Sequence, residues 1–119
     1  MTWLNMKGPY KLTAEKIDEV VTRKSPGNYA LGKMVKISFA VSYVGRSDDD
    51  LNSQLKYWAG KTDKYEYFSF SYATSPKDAF EKECKNYHDF GGSERLDNNQ
   101  HPQRSEGKDW RCPLCDVFD

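Results

Sequence analysis

The sequence predicts an α/β domain built on a small, mainly antiparallel three-stranded sheet flanked by helices. Three observations carry that prediction. Val35, Ile37, Phe39, Val41 and Tyr43 alternate with polar or small residues, the period of a half-buried strand. Phe68, Phe70 and Tyr72 repeat that period further along. Ser47 with Asp50, and Ser75 with Asp78, stand as capping boxes ahead of stripes at helical spacing.

In chain order, residues 1–10 carry Trp3, Leu4, Met6 and Tyr10 and read as an arm docked on the body. Thr13 is the N-cap of a helix through Thr22, with Glu15 and Asp18 near its positive end. Leu12, Ile17, Val20 and Val21 supply its apolar stripe. "KSPGN" breaks the chain before an extended segment from Tyr29 to Leu31. Gly32 and Lys33 separate that segment from the alternating strand, which predicts an antiparallel hairpin turning there. The strand would place Val35, Ile37, Phe39, Val41 and Tyr43 on one face and Lys36, Ser38, Ala40 and Ser42 on the other.

The next helix starts at Ser47, buries Leu51, Leu55 and Trp58, and ends at Gly60. Asp48, Asp49 and Asp50 point in different directions at a helix start and read as complements to its dipole, not as a metal cluster. "KYEYFSFSYAT" is the third strand. Pro76 then opens a helix that runs to Phe90 and stops at Gly91-Gly92. Residues 93–111 are polar and aperiodic, and the chain has no internal repeat or low-complexity segment.

The 119 residues suit one domain with a modest core, helped by an aromatic content of 14%. Acidic and basic side chains number 18 each. The zero formal charge argues against capture of nucleic acid, membrane or acidic substrate by the molecule as a whole, and leaves room for a local basic face. No apolar run suits a membrane span, and "MTWLNMKGPY" lacks a secretory signal's apolar stretch and cleavage site.

Three cysteines are an odd number for a disulfide framework. Cys112-Pro-Leu-Cys115 has the spacing of a zinc knuckle, which places the protein in the cytoplasm. Tetrahedral Zn²⁺ needs two more ligands. Cys84 and His88 lie one helical turn apart and project to the same side, with His101 as the alternative fourth ligand. Such a zinc would be structural, closing the 93–111 loop onto the last helix.

Tyr29 in "GNY" at one strand's start, Tyr43 in "YVGRS" at the end of the next, and a helix immediately after resemble the GIY-YIG nuclease superfamily. The resemblance spans roughly residues 25–100, flanked by an arm and helix over 1–24 and a C-terminal loop over 101–119, in one compact domain overall. It implies a GIY-YIG-like fold and a metal-dependent endonuclease acting on DNA. Carried over residue by residue, Tyr29 and Tyr43 would line the site, one as general base on water. Arg46 stands where many members have a basic residue. Glu83 would hold a single Mg²⁺ or Mn²⁺, and Asn98, or Asn99, matches a late asparagine.

Glu83 also stands out by itself. It shares a helical face with Ala79 and Tyr87, beside Phe80 and Cys84, where an unpaired carboxylate is costly and needs a partner. Glu83 lies about 100° round the helix from Cys84, so a catalytic carboxylate and a zinc pair would not compete. One departure from the family pattern concerns the helix after "YVG". Most members carry an arginine there, facing the scissile phosphate; that place falls on Gln54, or on Ser53 in a tighter register. Arg46 and Lys56 are the cations that could replace it. Two functions follow from the resemblance: a DNA endonuclease, or a weakened relative that binds nucleic acid or a protein through the same cleft.

Overall fold

A computed structural model of the chain describes residues 6–61, 64–92, 95–98, 102 and 110. Strand β1 (Lys7–Lys11) leads into helix α1 (Ala14–Val20). A hairpin follows, made of β2 (Gly27–Val35) and β3 (Ser38–Ser47), then α2 (Leu51–Lys61), β4 (Tyr67–Tyr72) and α3 (Pro76–Asp89). The four strands form one antiparallel sheet in the order β1-β4-β2-β3.

The sheet therefore has four strands where the sequence predicts three. The addition is β1, from the segment read as an arm, which pairs Tyr10 with Phe68 and Lys11 with Tyr67. "KGPYK" has no alternation and contains a proline, which a strand tolerates at the edge of a sheet, where β1 lies.

The hairpin turns at Lys36-Ile37, between the paired residues Val35 and Ser38, and not at Gly32-Lys33. Gly32 stays in the central strand, opposite both Val41 and Tyr67, and a Cβ there would strike the Ala40 carbonyl. The glycine serves close approach of two backbones, and Lys36 makes the turn with a φ of 60°.

A bulge at Ser42 splits the run of alternating side chains. Leu31 pairs with Tyr43 and Gly32 with Val41, so Ser42 faces no partner and the alternation shifts by one. Tyr43 consequently joins Tyr29 and Leu31 on one face, while Phe39 and Val41 turn to the other with Ala30 and Val44. The predicted single face from Val35 to Tyr43 is thus divided, and Val35 and Ile37 lie exposed at the turn.

Each sheet face carries its own core. Tyr29, Leu31, Phe68 and Phe70 pack with Ile17 and Val21 from the α1 region and Leu51 and Leu55 of α2. Burial of such side chains contributes roughly 1.5–3 kcal/mol apiece. Ala30 and Val44 pack on Tyr87 of α3 and on Leu96. Thr13 and Ser75 cap where the sequence places them, accepting from the backbone N–H of Lys16 and Asp78. Ser47 instead ends β3 and accepts from the Asp50 N–H, while α2 begins at Leu51 with Asp50 as its cap, accepting from the Ser53 N–H. Gly91 and Gly92, at φ 95° and 61°, stop α3. Among the described residues, no helix is long and apolar enough to cross a membrane.

Candidate active-site cleft

The "GNY" and "YVG" stretches are neighbours because β2 and β3 pair antiparallel, with Tyr29 opposite Gly45 and Leu31 opposite Tyr43. This register explains the glycine. The Tyr29 ring lies over Gly45, where any Cβ would come within 2.5 Å of its Cζ and hydroxyl. Tyr43 stacks alongside, with ring centroids 6.5 Å apart and planes inclined by 20°.

Arg46 follows Gly45 and so points to the opposite sheet face. There its guanidinium sits 5.1 Å from the centroid of the Phe80 ring and donates from Nη1 to Oε1 of Glu83 at 2.5 Å. Its Nε donates to Oδ1 of Asp48 at 2.9 Å. Because β3 is an edge strand, side chains from both faces reach round its open side into one cleft of about 370 Å³. Tyr29 and Tyr43 line it from one face, Arg46 and Glu83 from the other, with Ser47, Asp48, Asp49 and Gln54 completing the wall.

Helix α2 fixes the tyrosine hydroxyl. Gln54 and Trp58 lie one turn apart, and both donate to the Tyr29 oxygen, Nε1–H of Trp58 at 2.8 Å and Nε2–H of Gln54 at 3.3 Å. A phenol oxygen with two such donors directs its own O–H away from them, as a hydrogen-bond donor. Burial also holds the Tyr29 hydroxyl well above its ordinary pKa, and Tyr43 is raised by burial and by the nearby Glu83 charge. Both rings are therefore neutral phenols near pH 7.

Burial pushes the Glu83 carboxyl up to about 7, against the lowering pull of Arg46. Burial works the other way on Arg46, but the negative charges of Glu83 and Asp48 outweigh it and hold the guanidinium above its ordinary value. One carboxylate oxygen of Glu83 is taken by Arg46; the other makes no hydrogen bond among the described residues. Glu83, Asp48 and Asp49 all line the cleft, yet among the described residues they are not grouped closely enough to form a metal cluster.

Of the residues singled out from the sequence, Tyr29, Tyr43, Arg46 and Glu83 converge, and Gln54 lies among them. Asn98 sits elsewhere. Its side-chain amide clasps the backbone of Val44 on the outer edge of β3, accepting from the N–H at 3.1 Å and donating to the carbonyl at 2.8 Å. It stands in for a missing neighbouring strand. Asn99 lies outside the described residues.

The Asp48–Asp50 run divides: Asp48 and Asp49 face the cleft, while Asp50 caps Ser53. Trp58 is a contact that its reading as plain apolar stripe overlooks. Its signal was its place one turn after Gln54, on a helix following the tyrosine motif.

Cys84 is buried against Phe80 and Trp110, and His88 is one turn further along α3. Cys112, Cys115 and His101 lie outside the described residues. Among the described residues, no three His, Cys, Asp or Glu side chains are grouped to hold a metal ion.

Compared with protein-family models, with curated proteins and with solved structures, the chain finds no significant match in any of the three.

Proposed function

We propose that this chain is a GIY-YIG-like, divalent-metal-dependent endonuclease that hydrolyses DNA phosphodiester bonds in the cleft beside β3. The observation that carries the reading is the meeting of Tyr29, Tyr43, Arg46 and Glu83, drawn from two sheet faces and three elements, at one open strand edge. A packing role for the two tyrosines does not by itself require a part-buried Arg46–Glu83 pair beside them.

In this reading Glu83 holds one Mg²⁺ or Mn²⁺ by a carboxylate oxygen. When bound, the cation supplies Lewis-acid polarisation of the phosphate and lowers the pKa of a coordinated water. Arg46 turns from Glu83 toward a non-bridging phosphate oxygen, a charge-assisted contact that strengthens as charge develops on phosphorus. The neutral Tyr29 and Tyr43 hydroxyls would donate hydrogen bonds that orient the attacking water and the phosphate. The water loses its proton to bulk solvent as its oxygen bonds phosphorus and the P–O bond to the leaving oxygen breaks. Orientation is thus their task, in place of the general-base role that the family resemblance implies for one of them.

A second reading is favoured by Gln54. It occupies the cleft where the resemblance places an arginine, and Arg46 is already engaged by Glu83 and Asp48. A relative weakened in this way would bind nucleic acid or a protein without cutting. Cleavage of plasmid and branched DNA with Mg²⁺ or Mn²⁺, by wild type and by Glu83→Ala, separates the two. The endonuclease reading expects nicking that Glu83→Ala abolishes. Absence of cleavage by wild type at high concentration, or equal cleavage by the variant, would sink it.

A further inference from the structure

We propose that the β2–β3 hairpin is a docking arm for duplex nucleic acid, with Lys33 and Lys36 on backbone phosphates and Ile37 at the contact. The inference deepens the endonuclease reading and rests on it for the identity of the polyanion. Neutrality of the whole chain hides an uneven distribution of charge. Residues 20–47 hold five of its 18 basic side chains, Arg23, Lys24, Lys33, Lys36 and Arg46, and none of its 18 acidic ones. The hairpin itself, Gly27–Ser47, carries three of these five. Arg46 is paired with Glu83 and Asp48, which leaves Lys33 and Lys36 as the hairpin's unpaired charges among the described residues, on an otherwise acidic body.

Its tip is also exposed in a way that packing does not explain. Ile37 is 95% exposed and Val35 58%, and Lys33, Lys36, Ser38 and Ala40 lie open beside them. The other face of the hairpin is spoken for, since Met34 is half-buried and Phe39 and Val41 pack against the cluster of Ala30, Val44, Tyr87 and Leu96. Lys36 holds φ at 60°, in the left-handed region that glycine or asparagine occupies with less strain. A lysine kept at a strained, fully exposed turn points to contact by its side chain. Glu66, whose backbone N–H donates to the Gly32 carbonyl at 2.9 Å, is an exposed acidic neighbour of Lys33 on the adjoining segment, away from the Lys36-Ile37 turn in the strand pairing.

Two lysines around two apolar side chains fit a phosphate backbone and groove wall better than a lipid surface, which needs a larger apolar area. The same two strands carry the cleft. From Gly45 to Ile37 the strand travels about 25 Å at its usual rise, a span of roughly seven phosphates along one strand of a duplex. Cleft and tip would thus grip one duplex at two points.

The test is fluorescence-anisotropy binding of a 20-base-pair duplex in EDTA, across a salt series, by wild type, the double variant Lys33→Gln/Lys36→Asn and the single variant Lys36→Asn. Asparagine tolerates the left-handed turn, so the single variant keeps the comparison readable if the double variant melts early. The expected result is about tenfold weaker binding by the double variant, with a salt dependence shallower by about two phosphate contacts. Unchanged affinity and slope overturns the proposal, as does a wild type that binds phosphatidylserine vesicles but no duplex at low salt. Lysine-dependent binding by a protein that never cuts with Mg²⁺ or Mn²⁺ keeps the arm and removes the endonuclease reading. Cleavage with binding indifferent to the lysines does the reverse.

Discussion

Trp58 donates its indole N–H to the hydroxyl of Tyr29 at 2.8 Å, across the gap between α2 and the central strand. With Gln54 it fills the acceptor side of that oxygen, so the Tyr29 proton is left for the cleft. Trp58→Phe keeps an aromatic ring, though a smaller one, and removes the donor. Expected outcomes are a loss of about 1 kcal/mol in unfolding stability and cleavage slowed about tenfold through kcat, with KM held. Lost stability with unchanged kcat would reduce Trp58 to packing.

Gly45 accommodates the same ring from the other side. A Cβ at position 45 would sit 2.5 Å from the Tyr29 Cζ, a contact that only displacement of the ring can relieve. Gly45→Ala is expected to cost about 1–3 kcal/mol in denaturant unfolding and to abolish cleavage. A variant as stable and active as wild type would show that the Tyr29 position is not critical.

Gln54 marks the place where the resemblance expects a guanidinium, and it already touches Tyr29. A single charged donor aimed at a developing oxyanion is worth a hundredfold or more in well-organised sites. Gln54→Arg should therefore raise DNA cleavage at least about tenfold over wild type, and Gln54→Lys by less, because lysine lacks the bidentate fork. Equal rates for all three proteins would argue against a phosphate lying between Gln54 and Arg46.

Glu83 gives the metal-free protein a pH dependence of definite sign. Its carboxyl is pushed from an ordinary 4.5 up to about 7 by burial, so the folded chain binds its proton more tightly than the unfolded chain. The stability this group confers is fully present below about pH 4.5 and is lost as pH rises through about 7. Urea unfolding in EDTA should show wild type losing stability relative to Glu83→Gln between those values. A difference that stays flat, or grows with pH, would mean that Arg46 governs the carboxylate and burial does not.

Trp110 packs on Phe80 with a ring separation of 5.7 Å and contacts the buried Cys84 cluster, two residues ahead of the "CPLC" stretch. The sequence predicts a structural Zn²⁺ on Cys112, Cys115 and Cys84, with His88 or His101 as the fourth ligand, and Cys112 and Cys115 lie outside the described residues. Elemental analysis of protein purified without chelator should find about one zinc per chain, and Cys112→Ser should lower both zinc content and melting temperature. Less than about half a zinc per chain would count against the site.

Much of the scaffold was legible because its causes are local. Ser75, Pro76 and Asp78 announce α3 through a side chain, a fixed φ and a charge that all act within one turn. The alternation of Phe68, Phe70 and Tyr72 marks β4 in the same way. What escaped is non-local. β1 has no pattern of its own and exists through Phe68 and Tyr67 across from it. The even alternation from Val35 to Tyr43 concealed both a turn and a bulge, since backbone pairing with β2, not side-chain period, decides where each falls.

The candidate cleft divides along the same line. The resemblance carried by the sequence named Tyr29, Tyr43, Arg46 and Glu83 and located Gln54 as the departure, and Glu83 also stood out by its place on the buried face of its helix. Only the tertiary structure decided that Arg46, pointing away from the tyrosines on its own strand, still meets them round an open sheet edge, with Glu83 delivered from a helix on the far face. It also drew Asn98 aside to hold the Val44 backbone. The physical reason is that strand order and register set which side chains share a space, and pairing between distant segments sets both.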